Sequence, residues 1–178
     1  MRVYDFEGVL YQADIIEDLV DYIGNKKEKY KKLLPLVKPM ISLYKMDFLS
    51  LDKLSKFANK YIKGFDISEK QVLDASKEFW KLNDNKLNKD LIKNIKKDDL
   101  IITILPVDFL KPLKIKAKNI LGSIYNYDTN EIDFICYKEA REKAIKEEYN
   151  DKEIEEYYTN KKDCKEIINK AKKINIVK

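Results

Sequence analysis

The sequence predicts an α/β fold, a Rossmann-like parallel sheet covered on both faces and interrupted after its first strand by an all-helical insert. Three observations lead there. A short apolar run around Val3 and Tyr4 opens the chain, residues 13–88 then carry helical periodicity throughout, and from Leu87 onward β-branched runs alternate with helical stretches. Residues 1–12 and 86–178 are assigned to the sheet core, and residues 13–85 to the helical insert.

The first strand ends in Asp5-Phe6-Glu7-Gly8. In a strand alternate side chains share a face, so both carboxylates point the same way, Phe6 is buried, and Gly8 lets the backbone turn away. Two acids aimed at one point suit a cation or an acid/base pair, although the same residues also suit a solvated turn. Helices follow over Ala13–Tyr22 and over Lys26–Lys45, with bends expected at Pro35 and Pro39. Ser50 caps a third helix in which Leu51, Leu54, Phe57, Ala58 and Tyr61 recur at helical spacing until Gly64 stops it. A fourth begins near Ser68 and carries Val72, Leu73, Phe79 and Trp80 on its apolar side, as core residues.

A helix from Leu87 to about Lys96 leads into the buried, β-branched strand Asp99–Ile104. Asn119–Gly122 reads as a short strand, and residues 123–136 as a hairpin turning through Asp128-Thr129-Asn130. Helix Lys138–Tyr149, strand Ile154–Tyr158, helix Lys161–Lys173 and strand Ile174–Val177 complete the chain.

Composition narrows the chemistry. Hydrophobic residues make up 44% of 178, and only four glycines and four prolines interrupt the pattern, which excludes a disordered or collagen-like chain. With no histidine, and with Cys136 and Cys164 at no metal-binding spacing, neither the usual zinc sites nor a histidine-based triad is available. Catalysis has to rest on carboxylates, lysines or hydroxyls. The net charge of +5 is interleaved, and the basic clusters around Lys26–Lys32 and Lys93–Lys97 fall at helix ends, so no nucleic-acid partner is expected. No charged-then-apolar leader precedes the first strand, and the most apolar stretch, Leu33–Tyr44, is short and contains Lys38. Neither secretion nor a membrane span is expected, and the cytoplasm is the expected compartment.

In an open parallel sheet, ligands bind beyond the carboxyl ends of the strands. Three such ends carry polar groups: Asp5 and Glu7, Thr103 ahead of Pro106, and Thr159-Asn160 followed by Asp163. Their order resembles the haloacid dehalogenase superfamily of phosphohydrolases, in its phosphoserine-phosphatase-like branch with a helical cap inserted after the first motif. Val3–Leu10 looks like Asp-x-Asp-Gly-Thr/Val-Leu, and Ile101–Pro112 looks like the second motif, a strand ending in serine or threonine before Pro-x-x-Phe-Leu-x-Pro. Cys136-Tyr137-Lys138-Glu139-Ala140-Arg141 is similar to Cys-Tyr-Gly-Glu-x-Lys, and Tyr158–Asp163 to Tyr-Thr-Asp-Ser-x-x-Asp.

The resemblance implies a magnesium-dependent phosphomonoesterase acting on a small phosphorylated molecule. Asp5 would be the nucleophile and Glu7 the general acid/base; Thr103 and a basic residue, Arg141 or Lys138, would hold the phosphate oxygens. Magnesium would be held by Asp5, the Glu7 carbonyl, Asn160 and Asp163. The chain departs from the pattern in three motifs. Glu7 stands where Asp is usual, moving the carboxylate about one methylene, a displacement that can cost roughly a hundredfold in rate. Arg141 replaces lysine, with Lys138 or Lys143 available from the same helix, and Asn160 replaces an acid. The alternative reading is therefore a relative that keeps the fold and binds a phosphorylated ligand or a protein partner without turnover. Asp14 has two readings, facing the site or capping the next helix.

Overall fold

Six strands form one sheet in the order β4-β3-β2-β1-β5-β6, with β1 (Arg2–Asp5) near its centre between β2 (Leu100–Pro106) and β5 (Ile154–Thr159). The computed structural model describes residues 1–26, 35, 39, 42–43, 46, 48–62, 67–161 and 164–177. All pairings are parallel except that of β3 (Asn119–Asn126) with β4 (Glu131–Phe134), and β6 (Ala171–Ile176) closes the far edge. Val3 pairs with Leu100 on one side and with Tyr157 on the other, so the carboxyl ends of β1, β2 and β5 lie together.

Side-chain alternation divides the core between the two faces of the sheet. Tyr4, Ile101 and Leu105 pack on one face with Phe6, Tyr11, Phe79, Trp80 and Phe109. Val3, Leu100, Ile102 and Tyr157 pack on the other with Ala144, Ile145, Cys164 and Ile167. Helix α1 (Ile15–Lys26) and helix α3 (Glu69–Leu82) cover the first face; α6 (Lys138–Glu148) and α7 (Lys165–Ile168) cover the second. Two shorter helices, α4 (Lys89–Asn94) and α5 (Val107–Leu110), flank β2.

Between β1 and β2 the described segments are helical. Ser68 and Gln71 form a reciprocal capping box at the start of α3, and the Asp14 carboxylate accepts from the Glu17 amide at 3.1 Å, so Asp14 takes its capping role. Helix α3 is anchored to the sheet side of the molecule: the Trp80 indole donates to the Phe109 carbonyl at 2.7 Å, and Phe6 meets its ring edge-on at 5.7 Å. Helix α2 (Leu51–Ile62) docks on the hairpin instead, where the Asn59 amide accepts from the Ile132 N–H at 2.8 Å and donates to its carbonyl. This covers part of an otherwise open sheet edge. Among the described residues no helix is long and apolar enough to cross a membrane.

Several element boundaries differ from expectation. Asn119–Gly122 and the first hairpin arm are one continuous strand, because β3 leaves its parallel partner β2 and pairs antiparallel with β4 without breaking. The last helix is only α7, and β6 starts at Ala171: the backbone of residues 171–173 is drawn into the ladder with β5 despite two lysines, which an edge strand tolerates. The helix after Leu87 is confined to α4. The expected helix over Lys26–Lys45 lies for the most part outside the described residues, as does the stop at Gly64.

Candidate active site

The first strand ends between its two acids. The ladder stops at Asp5, Phe6 donates one more bond to the Ile102 carbonyl at 2.8 Å, and Gly8 turns the chain with φ +76°. The regular strand therefore ends before Glu7. Asp5 is 7% exposed, and its Oδ2 accepts from the Tyr157 hydroxyl of β5 at 2.7 Å. Glu7 reaches the opposite neighbour, β2: its Oε1 accepts from the Thr103 hydroxyl at 2.6 Å and from the Ile104 amide at 3.2 Å.

An irregularity in β2 makes the second contact possible. Its register against β3 shifts between Ile102 and Pro106, which takes residues 103–105 out of the regular ladder. The Leu105 amide then turns onto the Thr103 hydroxyl at 3.1 Å, and the Ile104 carbonyl accepts from Ser123 at 2.5 Å. The Ile104 N–H is left pointing at the end of β1. Gly122 permits the tight approach of β3 here, since a Cβ at that position would stand 2.8 Å from the Leu105 oxygen and 3.1 Å from Thr103 Cγ2.

Burial pushes the Glu7 carboxyl up to about 7, against the Thr103 hydrogen bond and main-chain amides that pull it down; the Asp5 charge adds to the upward push. Burial also raises the Tyr157 hydroxyl, with Asp5 as a further cause, so it stays a proton donor. On the covering side, burial takes the Cys136 thiol up to about 12 and the Cys164 thiol up to about 11. The Arg141 charge opposes the rise in both, while Glu7 adds to it at Cys136 and Asp5 at Cys164. Arg141, 8% exposed on α6, is therefore electrostatically linked to the surroundings of both acids.

The remaining expected residues fall as follows. Lys138 opens α6 with φ +43°, the left-handed conformation suited to the glycine that occupies this position in the resembled pattern, and its ammonium lies over the Tyr137 ring at 5.6 Å. Asn160 is exposed and lies over Gly8 so closely that a Cβ there would stand 1.8 Å from its amide nitrogen. Thr159 is fully buried, and its hydroxyl donates to the Lys161 carbonyl at 2.6 Å, turning the chain after β5. Asp163 lies outside the described residues. Hydrogen bonds thus tie Glu7 to Thr103 and Asp5 to Tyr157 at the strand ends, and Asn160 lies against the same loop. Tyr157, Ser123 and the Ile104 amide went unrecognised in the sequence; the only signal for Tyr157 is its place in a strand neighbouring β1, one residue before the motif.

No known family pattern and no curated protein matches the chain. Solved structures do. A Bordetella pertussis Tohama I protein of unknown function superposes with a TM-score of 0.69 at 10% identity, over 95% of this chain and 85% of that one. A phosphoserine phosphohydrolase-like protein from Francisella tularensis subsp. tularensis SCHU S4 gives a TM-score of 0.51 at 17% identity, over 98% and 95%. At such identities the likeness is one of fold: a mostly parallel α/β sheet with a Rossmann-like arrangement.

Proposed function

We propose that the chain is a phosphohydrolase that uses Asp5 as a nucleophile on a small phosphorylated substrate, with residues 13–85 acting as the cap that encloses it. The observation carrying this reading is the placement of Asp5 at the carboxyl end of β1, with Glu7 just beyond it bonded to a hydroxyl and a bulge-freed amide on β2. A carboxylate oxygen of Asp5 attacks phosphorus, forming a carboxyl–phosphate bond as the bond to the leaving oxygen breaks. Glu7 gives that oxygen its proton. It then takes a proton from the water that attacks phosphorus, releasing phosphate and regenerating Asp5. A carboxyl held near 7 is suited to both transfers at neutral pH. Thr103, the Ile104 amide and Arg141 or Lys138 would bind the phosphate oxygens.

The donors near the site are of the kind magnesium takes. Asp5 and the main-chain carbonyl of Glu7 are oxygen donors, and the amide of Asn160 lies against the same loop. These residues with Asp163 would hold the ion, which would neutralise charge between nucleophile and phosphate. Among the described residues no three acids, cysteines or histidines are grouped for a metal.

The alternative, a phosphate-binding protein without turnover, is favoured by Asn160, which puts a neutral amide where the resembled pattern has an acid. Hydrolysis of an aryl phosphate, with and without magnesium and beside Asp5→Asn purified identically, separates the two. Magnesium-dependent turnover lost in the variant supports the hydrolase. Absence of turnover in a folded wild type supports the binder.

A further inference from the structure

The contacts made by Glu7 go beyond those of a general acid waiting for substrate. Its carboxylate accepts from the Thr103 hydroxyl at 2.6 Å and the Ile104 amide at 3.2 Å, the two β2 donors assigned to phosphate oxygens. Each group has a single hydrogen, so neither can serve Glu7 and a ligand at full strength together. The extra methylene of glutamate is what spans the gap. An aspartate at position 7 would be shorter by one C–C bond, about 1.5 Å, more than a hydrogen bond of this length can absorb.

We propose that the Glu7 carboxylate is the resident occupant of this anion cradle, and that a phosphorylated ligand binds by displacing it. This rests on the reading that Thr103 and Ile104 hold phosphate oxygens. Occupancy by Glu7 lowers the fraction of molecules with an open cradle, and so weakens the apparent affinity of every ligand by that fraction. It also selects among ligands. A carboxylate offers the cradle nothing that Glu7 does not already supply from within the chain. A phosphomonoester dianion brings a second charge and further oxygens, which makes it the class able to compete. The residue that departs from the resembled pattern thus becomes a filter against carboxylates, and on displacement its carboxyl is released to the leaving-group side.

Two variants separate cradle filling from simple charge repulsion. Glu7→Asp keeps the charge and loses the reach, whereas Glu7→Gln keeps the reach and loses the charge. Inorganic phosphate affinity, measured by calorimetry on wild type and both variants with thermal melts confirming folding, should tighten about tenfold in Glu7→Asp and less in Glu7→Gln. Adding Thr103→Val to Glu7→Asp should remove the gain. Unchanged or weaker binding in Glu7→Asp, a larger gain in Glu7→Gln than in Glu7→Asp, or no phosphate binding by any of the three overturns the proposal. Aryl phosphate turnover measured on the same samples reports separately on the hydrolase. Tightening without turnover would leave the cradle proposal standing while removing the catalytic one.

Discussion

Two carboxylates, one buried and one partly exposed, lie at opposite ends of the central strands, and their surroundings push them in opposite directions. At the amino end, just before β2, Asp99 is 3% exposed and held by Arg2, whose Nη2 is 2.6 Å from Oδ2 and whose amide is 3.1 Å from Oδ1; the Lys96 amide adds a bond at 2.7 Å. Burial alone would raise this carboxyl, but Arg2 and the two amides outweigh it and hold it below the usual range. At the carboxyl end Glu7 accepts from a hydroxyl and amides, and burial wins. Both acids are hydrogen-bonded, and Asp99 is also ion-paired with Arg2. A buried acid with its own cation serves the fold, whereas one left with neutral donors near pH 7 is free to exchange protons.

The strongest break of this contrast is Asp99→Ala, which leaves the Arg2 guanidinium without its carboxylate. Urea unfolding should show a loss of about 3 kcal/mol, with phosphate affinity unchanged. Next comes the pH dependence of stability. The folded Glu7 carboxyl lies above its ordinary 4.5, so its contribution is fully present below that value and is lost as pH rises through about 7. Wild type should therefore lose on the order of 2 kcal/mol between pH 5 and 8, and Glu7→Gln should flatten that slope. Asp99, held below its ordinary 3.8, stays ionised across this window and contributes a constant amount.

Tyr157→Phe removes the hydroxyl that donates to Asp5 Oδ2. Denaturation should register a loss of about 1.5 kcal/mol, and hydrolysis a fall in kcat with KM little changed, because the group acts on the nucleophile rather than on substrate. The smallest effect has the opposite sign. Lys138 holds φ +43° against the preference of a side chain, so Lys138→Gly should raise stability by up to about 1 kcal/mol in thermal melts.

What could be read from the sequence follows from how local each cause is. Alternation of apolar runs with helical periodicity is local, and it yielded the α/β sheet with both faces covered and Phe79 and Trp80 as core. Asp5 and Thr103 stood out because strand ends are where polar residues interrupt apolar runs. The partners of Glu7 did not, because they depend on where the ladder stops and on the positive φ of Gly8. Tyr157 meets Asp5 through a register between strands about 150 residues apart in sequence, and the freed Ile104 amide comes from a bulge set by β3; neither leaves a local trace. Periodicity places helices α1 and α3 in an insert, yet their aromatic residues lie in the same cluster as Phe6 and Leu105, a contact that periodicity alone does not reveal.

The contrast between the two ends is tested most directly by titrating the side-chain carboxyl carbons by NMR, with Glu7 and Asp99 assigned through Glu7→Gln and Asp99→Asn. The account predicts a Glu7 midpoint near 7 and an Asp99 midpoint below 3.8. A Glu7 midpoint at or below its ordinary 4.5 would contradict it, placing both acids in the structural class and removing the proton donor on which the proposed chemistry depends.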